Sequence, residues 1–220
     1  MKLTYLGHSA FEIETNGKKI LVDPFLIKSP NYKPEKITDI FVTHAHSDHL
    51  GSAIEISKNT GAKITGMFEL ANFCISKGAS ANGINLGAWI DYSWGRAIAV
   101  PAFHSSSFDN GMYGGCPCGY IFDIEGKIIY HAGDTCLNSE MKVLGELYKP
   151  DLAMLPVGGQ YTMDTEHAVI ASKWLEASVV VPMHYNTFGA ITVNISEFEE
   201  EIRNIGKIPL VMQVGQSLEG

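Results

Sequence analysis

Three histidines and one aspartate occur within six residues of the segment FVTHAHSDHLGS, which spans residues 41–52. Imidazole and carboxylate groups are unfavourable in a hydrophobic core, and groups this close together shift one another's pKa values. Divalent metals such as Zn²⁺ bind these two kinds of side chain. The spacing therefore predicts a metal centre, and side chains that turn toward two neighbouring points indicate two metals. The four residues are His44, His46, Asp48 and His49.

A purely structural explanation accounts for part of this group. Ser47 or Asp48 would suit the N-cap of the helix that follows, and one histidine could be a hydrogen-bonded core residue. That explanation covers one or two of the four side chains and leaves the others without a role. We therefore favour metal binding for the group as a whole.

Three more candidate ligands occur directly at the ends of apolar, strand-like runs. His104 follows AIAVPAF, Asp134 follows KIIYHAG, and His184 closes SVVVPMH. Loops gather where strands end, so we expect these side chains to converge with the first four. Seven ligands suffice for two metals if Asp134 bridges them.

The elements that must position these residues form two blocks rich in β-strands, each completed by helices. In the first block, Asn16-Gly17 predicts a hairpin turn, and IFVT reads as a buried strand that runs into His44. A helix is expected over 48–61. The second block has candidate strands from about Gly83 to Tyr130, followed by alternating helices and strands that end with PLVMQV.

This order of elements predicts an α+β fold in which two sheets pack face to face with helices outside. The hairpins and the long antiparallel middle section are not expected in a doubly wound parallel sheet. No linker separates the two blocks, so a single domain over residues 1–220 is expected. The apolar run PLVMQV would suit either a buried last strand or the interface of a homo-oligomer.

Composition limits the classes of partner. The chain of 220 residues is 45% hydrophobic and 18% charged, as in ordinary globular proteins, and its formal net charge is −8. This acidity, without any run of Lys and Arg, argues against nucleic acid as a partner. The sequence shows neither a signal peptide nor a membrane-spanning segment, and its four cysteines suit free thiols. We expect a cytoplasmic protein that acts on a small molecule without a membrane partner.

The motifs resemble those of the metallo-β-lactamase superfamily, which are H-x-H-x-D-H, a later His, a later Asp and a final His. Here they read HAHSDH over 44–49, then His104, Asp134 and His184, and the resemblance covers nearly the whole chain. It implies a four-layer αββα sandwich with two metal sites. By the same resemblance, Asp134 bridges the metals, the first is held by His44, His46 and His104, and the second by Asp48, His49 and His184.

Longer segments narrow the resemblance to one family within the superfamily. LGHSAFEIE, ILVDPF, HAGDT, LPVGGQYTMD and VVPMHYNTF are similar to a family of small stand-alone metal-dependent hydrolases of uncharacterised substrate. That family is similar to ascorbate-phosphate lactonases and, more distantly, to the phospholipase D that cleaves N-acyl-phosphatidylethanolamine. The di-iron branch that reduces oxygen or nitric oxide carries Glu where this sequence has His46, so redox chemistry at iron is not expected.

The expected chemistry is hydrolysis, in which a metal-bound hydroxide attacks an ester, lactone or phosphodiester of a small molecule. Asp48 would be the catalytic residue, because it would ligate one metal and also orient the water or accept its proton. Ligation by nitrogen and oxygen suits Zn²⁺ best and leaves Mn²⁺, Fe²⁺ and Ni²⁺ open. The alternative is a non-catalytic metal-binding or regulatory protein that retains the fold. Such a protein would lack Asp48 or the ligands of one metal, and this sequence has them all.

Other polar residues are candidates for contact with the substrate. His8 ends the first strand, where it would act as a substrate contact, a proton donor or a plain turn residue. Tyr161 and Thr162 lie in a loop after a strand, and Tyr185 directly follows the ligand His184. The loop around Tyr161 could equally be a plain connection capped by Asp164 or Thr165.

Two further histidines have simpler expected roles. His131 precedes Asp134 by three positions and is expected to support the ligands or to belong to the core. His167 lies in TEHAVIASKW, a segment with the spacing of a helix and its own cap signals. We expect its side chain to be exposed to solvent.

Overall fold

Two seven-stranded sheets pack face to face in the computed structural model, which describes residues 1–219. Gly220, the last residue of the predicted single domain, lies outside that range. The first sheet has the strand order β14-β1-β2-β3-β4-β5-β6. Numbered in chain order, its strands are β1 (Lys2–Gly7), β2 (Ala10–Thr15), β3 (Lys18–Val22), β4 (Ile37–Phe41), β5 (Lys63–Met67), β6 (Ala81–Ile84) and β14 (Ser217–Glu219).

The second sheet has the order β13-β12-β11-β10-β9-β8-β7. In each sheet, part of the strands pair antiparallel and the rest pair parallel, from β3 to β6 in the first and from β10 to β13 in the second. The strands of the second sheet are β7 (Trp89–Tyr92), β8 (Gly95–Pro101), β9 (Cys118–Ile124), β10 (Lys127–His131), β11 (Leu152–Pro156), β12 (Val179–Met183) and β13 (Ile208–Pro209).

Helices connect the strands and complete the outer layers of an α+β, αββα sandwich, as the sequence predicts. The predicted helix over 48–61 is divided in two, because Gly51 adopts a φ of +44° where a Cβ atom would approach the Pro24 carbonyl oxygen to 2.4 Å. The α-helices of the described residues are α1 (Ser47–Leu50), α2 (Ala53–Thr60), α3 (Phe68–Ser76), α4 (Glu140–Tyr148), α5 (Thr165–Trp174) and α6 (Ile195–Asn204).

The hairpin turn at residues 16–17 has the predicted conformation. Asn16 and Gly17 both have positive φ, +48° and +70°, as a type I′ turn requires. The turn sets the pairing of β2 with β3, in which Phe11 lies opposite Val22. Val22 is the last residue of β3, so this register determines where Asp23 leaves the sheet.

Aromatic side chains between the two sheets anchor the strand that leads into the ligand segment. Phe41, the last residue of β4, makes edge-on contacts with Phe122 at 5.0 Å and with Tyr120 at 5.1 Å between ring centroids. Each such pair contributes about 0.5–1.5 kcal/mol beyond the burial of its area. The core thus holds the chain in place three residues before His44.

The predicted final strand PLVMQV is wrong for most of its length. Only Pro209 belongs to β13, and the chain then leaves the second sheet and crosses to β1, where β14 pairs antiparallel. After Leu210, whose N–H donates to the Val180 carbonyl, the segment has no partner strand to follow. Among residues 1–219, no helix is both long and apolar enough to cross a membrane.

Candidate metal centre

The seven predicted ligands meet at one edge of the sandwich, in the loops that follow β4, β8, β10 and β12. His44 and His46 lie in the turn between β4 and α1, and Asp48 and His49 lie in α1 itself, so their spacing along the chain brings them together locally. The second sheet supplies its ligands one from each loop. These are His104 after β8, Asp134 after β10, and His184 after β12.

Their donor atoms form three overlapping groups, in each of which all atoms lie within 4.8 Å of one another. Within the first group, Nε2 of His44 lies 2.9 Å from Nδ1 of His46. Donor atoms bound to one metal are separated by comparable distances, since each lies about 2.0–2.2 Å from the ion. The groups are His44, His46 and His104; His8, Asp48, His49 and His184; and His44, His49 and Asp134.

Asp134 lies between the histidines of both sheets. Its Oδ2 atom is 3.1 Å from Nε2 of His184, 3.5 Å from Nε2 of His104 and 4.0 Å from Nε2 of His44. Its Oδ1 atom is 3.3 Å from Nε2 of His49. The carboxylate therefore faces ligands of both predicted metal positions.

Three buried atoms of the candidate ligands have no hydrogen bond of acceptable geometry to any residue from 1 to 219. They are Nε2 of His49, Oδ1 of Asp134 and Nδ1 of His184. A buried polar atom without a partner costs about 1–3 kcal/mol, so such atoms are rare unless something else satisfies them. A cation that contacts Nε2 of His49 and Oδ1 of Asp134 would satisfy these two atoms together, so the residues present fit a metal.

Asp23 orients two of the histidines and was not identified from the sequence. His49 donates its Nδ1–H to Oδ2 of Asp23 at 2.7 Å, and the Thr43 hydroxyl donates to the same oxygen at 2.7 Å. Since that hydroxyl is already donating, it accepts the Nδ1–H of His44, 3.0 Å away. Both imidazoles are thereby oriented so that Nε2 faces the other candidate ligands.

A signal for Asp23 existed in the sequence. It directly follows the buried strand β3 in ILVDPF, the same kind of position that identified the later ligands. Its role was missed because it touches its partners rather than the centre itself. It is fully buried, and it adopts a positive φ of +44°.

The electrostatics of the site suit a cation. Burial would raise the pKa of Asp134, but the neighbouring His49 and His184 hold that pKa well below its usual range. Burial lowers the pKa of His44, His46 and His104, which keeps these imidazoles neutral. For His184, burial acts downward, but Asp134 and Asp48 outweigh it and raise the pKa to about 9. A metal must therefore displace a proton from His184 when it binds.

A glycine-rich loop packs against the ligand segment. Gly114 lies so close to Ala45 that an added Cβ atom would be 2.1 Å from the Ala45 side chain. Ser106 accepts the Ala45 N–H at 3.2 Å, and Phe108 stacks on Phe73 with 3.8 Å between ring centroids. These contacts hold the backbone between His44 and His46 in place.

The predicted substrate contacts lie at different distances from the ligands. His8 is only 1% exposed and its Nε2 atom is 3.1 Å from Oδ2 of Asp48. Tyr185 is partly buried and lines a cleft that also includes His8. Tyr161 is 55% exposed in the turn after β11, and Thr162 is partly buried in the same turn, where its N–H donates to the Gly159 carbonyl.

The two remaining histidines lie as the sequence predicts. His131 is fully buried, where its Nε2 lies 2.9 Å from the Ser9 carbonyl and its Nδ1 accepts the Gly133 N–H at 3.2 Å. His167 is exposed on α5, and its N–H donates to Asp164, the N-cap of that helix. Neither side chain belongs to the three ligand groups.

Comparison with known proteins identifies the family of the chain. A family model described as the beta-lactamase superfamily domain matches residues 2–184. The chain belongs to this superfamily. Within it, the chain is 42% identical over 228 residues to the UPF0173 metal-dependent hydrolase of Bacillus cereus, with 99% of each chain covered. It is 41% identical over 227 residues to that of Anoxybacillus flavithermus, with both chains fully covered.

A solved structure of this superfamily resembles the chain closely. Igni18, a metallo hydrolase from the archaeon Ignicoccus hospitalis, is 40% identical, with a TM-score of 0.89 over 99% of this chain and 97% of that one. The predicted family and the αββα fold are thus confirmed. Like these relatives, the protein is a metal-dependent hydrolase, and it has the metallo-β-lactamase fold.

Proposed function

We propose that this hydrolase uses two divalent metals to cleave an ester, lactone or phosphodiester bond of a small molecule. One metal would be held by His44, His46 and His104, and the other by Asp48, His49 and His184. The observation that carries the proposal is the position of Asp134, whose two oxygen atoms face nitrogen atoms of both groups at 3.1–4.0 Å. A carboxylate in that position suits a bridging ligand.

When bound, the two metals would supply a hydroxide nucleophile near neutral pH and offset the negative charge that develops on the substrate. Asp48 has the most accessible carboxylate of the group, with 27% of its side chain exposed. Burial would raise its pKa, but hydrogen bonds with His184 and His8 hold that pKa far below its usual range. It therefore remains ionised and suits the orientation of a water molecule better than the acceptance of a proton.

The donor set favours Zn²⁺, because imidazole nitrogens and carboxylate oxygens without a thiolate are common zinc ligands. Mn²⁺, Fe²⁺ and Ni²⁺ accept the same donors. Asp23 and Thr43 would support the binding of any of these metals, because their hydrogen bonds orient His44 and His49. Elemental analysis of the purified protein would give its metal content, and so the identity and number of the metals per chain.

Two clefts flank helix α1 and suit a small-molecule substrate. One, of about 320 Å³, is lined by Phe73 and Phe108, and the other, of about 670 Å³, by Phe25 and Tyr32. Both volumes fall in the range of about 300–1,000 Å³ that is usual for ligand sites. We also propose that Tyr161, Thr162 and Tyr185 contact the substrate.

The cellular setting follows from simpler observations. The thiols of the four cysteines, Cys74, Cys116, Cys118 and Cys136, are free, which suits a reducing cytoplasm. With no basic run in the sequence, we propose neither a nucleic-acid nor a membrane partner. Ile208 and Val214 are exposed at the ends of the segment 208–214, so a homo-oligomer through this segment is a proposal that sedimentation would test.

The test is hydrolysis of a chromogenic phosphodiester and of a small lactone by the metal-loaded protein. Asp48→Ala is expected to lower turnover by at least about 100-fold, since charge positioned at a reacting centre commonly contributes that much. His167→Ala, a substitution at an exposed histidine, serves as the matched control and is expected to leave turnover unchanged. A wild type that binds fewer than two metals, or an Asp48→Ala variant that keeps full turnover, would contradict the proposal.

A further inference from the structure

We propose that His8 is an eighth metal ligand, bound to the second metal together with Asp48, His49 and His184. This inference deepens the proposed function and rests on it, because it needs a second metal position. It replaces the substrate contact or proton donor that the sequence predicts for His8. It also gives the first hairpin of the fold, between β1 and β2, a direct part in the centre.

The position of His8 among the other donors supports this role. Its ring centroid is 4.1 Å from that of His184 and 5.7 Å from that of His49. Its Nε2 atom and the donor atoms of Asp48, His49 and His184 all lie within 4.8 Å of one another. The side chain is buried on all sides, so Nε2 faces this group rather than solvent.

The backbone of His8 is held where a ligand requires it. Its carbonyl oxygen accepts the N–H of His184 at 2.9 Å and the hydroxyl of Tyr5 at 3.1 Å. His8 has a φ of +56°, a left-handed conformation that is uncommon outside glycine. The fold thus imposes an unfavourable local conformation on this residue and couples it directly to a predicted ligand.

The contacts of His8 are compatible with the tautomer that a ligand requires. Nδ1 of His8 lies 2.9 Å from the Thr187 hydroxyl, which can accept its N–H while donating to the Tyr185 carbonyl, 3.4 Å away. Nε2 of His8 lies 3.1 Å from Oδ2 of Asp48 and donates to that carboxylate when it carries the proton. With the proton on Nδ1, Nε2 and Oδ2 are close enough for one cation to bind both.

The same arrangement occurs at a ligand predicted from the sequence. His44 donates its Nδ1–H to the Thr43 oxygen at 3.0 Å, and the Thr43 hydroxyl donates onward to Asp23 at 2.7 Å. In both pairs the hydroxyl of a threonine that has its own acceptor lies within hydrogen-bond distance of Nδ1, so it can accept the imidazole N–H when Nε2 binds a metal. Metal-binding histidines commonly donate their second nitrogen to a protein oxygen in this way.

An eighth ligand changes the coordination of the second metal. With Asp134 shared, the first position has the three histidines of its group, whereas the second has His8, Asp48, His49 and His184. Five protein donors exceed the four of a tetrahedral zinc site. The second position would therefore favour a metal that accepts five or six ligands, such as Mn²⁺, Fe²⁺, Co²⁺ or Ni²⁺, over Zn²⁺.

The experiment compares His8→Asn with the control His167→Asn. Asparagine tolerates positive φ, so the turn at position 8 keeps its conformation. Metal stoichiometry and affinity are measured by competition with a chelator, and the visible absorption of Co²⁺-loaded protein reports the coordination number, since fewer ligands give more intense bands. We expect His8→Asn to weaken the second site by more than about 100-fold, beyond the effect of a residue that only supports a ligand, and to intensify the Co²⁺ absorption.

The outcomes separate this inference from the proposed function. If wild type binds two metals and His8→Asn keeps both the affinity and the Co²⁺ spectrum, then His8 only hydrogen-bonds Asp48 and the inference is overturned, while the dinuclear centre stands. If wild type binds fewer than two metals, the proposed function fails first. If His8→Asn does not fold, X-ray crystallography of metal-loaded wild type decides, because a ligand requires an Nε2–metal distance of about 2.0–2.1 Å.

Discussion

The two sheets contribute to the metal centre in different ways. The first sheet supplies four candidate ligands from one short segment, 44–49, together with the buried Asp23 that hydrogen-bonds Thr43 and His49. The second sheet supplies single ligands from three loops that are far apart in the chain. One half of the centre is therefore built by local sequence, and the other by strand order.

The supports of the two halves also differ. On the first sheet a buried carboxylate acts directly on ligand side chains. On the second, two loops are joined at the backbone of Phe103, which donates its N–H to the Thr135 hydroxyl at 3.0 Å and accepts the N–H of Cys136 at 3.2 Å. Side-chain charge thus orients the first half, whereas the second half depends on how neighbouring loops pack. Asp134, where the halves meet, should be the most sensitive position.

Replacing Asp134 should have the largest effect. Asp134→Asn keeps the shape of the side chain but removes the charge that faces both metal positions. We expect metal affinity to fall by more than about 100-fold, exceeding the effect of any supporting residue. Elemental analysis and chelator competition measure this, with Asp91→Asn, at an exposed aspartate, as control. A variant that retained two metals at wild-type affinity would remove the bridging role.

Asp23→Asn should have the next largest effect. The amide removes the negative charge that accepts the His49 N–H and the Thr43 hydroxyl. Loss of such a support commonly lowers metal affinity by about 10–100-fold. Both metal positions should weaken, because Thr43 also orients His44. A change confined to one metal in chelator competition would show that the two histidines are oriented independently.

The equivalent change on the second sheet is Thr135→Val, which should lower metal affinity less than Asp23→Asn does. Valine keeps the shape but removes the hydroxyl that accepts the partly buried Phe103 N–H, a loss of about 0.5–1.5 kcal/mol of stability. In a chain of this size, each kcal/mol lowers the midpoint of thermal unfolding by about 2–4 °C. We expect that shift together with a smaller loss of metal affinity than in Asp23→Asn. The reverse order would show that the second half carries the more important support.

The smallest effect should come from His131, which contacts the backbone beneath the ligands. Burial lowers its pKa below 6.5, so the unfolded chain takes up this proton at a higher pH than the folded protein does. The contribution of His131 to the free energy of unfolding is therefore complete above pH 6.5. It is lost as the pH falls from 6.5 toward the pKa of His131 in the folded protein, by at most about 1.4 kcal/mol per pH unit.

Urea unfolding of the metal-free protein at pH 7.5 and 5.5 would measure this contribution. His131→Gln should show a smaller loss between the two pH values than wild type does. His167→Gln, at an exposed histidine, should show the wild-type loss. An unchanged loss in His131→Gln would mean that this histidine does not contribute to acid sensitivity.

Much of the fold was predictable because its signals are local. The turn at Asn16-Gly17 needs only the conformational preference of its two residues, and the alternation of strands and helices predicts the two packed sheets. The failures are short or interrupted elements. β6, β13 and β14 have four, two and three residues, and they are strands only because a neighbouring strand pairs with them. The break at Gly51 arises from the backbone of Pro24, which is distant in sequence.

The sequence by itself determined which side chains are candidate metal ligands and that they lie at or shortly after the ends of strands, because those properties depend on residue type and local spacing. Only the tertiary structure decided which atoms face one another. His8 meets Asp48 across 40 residues and Thr187 across 179, and Asp23 meets His49 across 26. Contacts of this kind depend on which loops the packing of the two sheets brings together, and no periodicity along the chain records that arrangement.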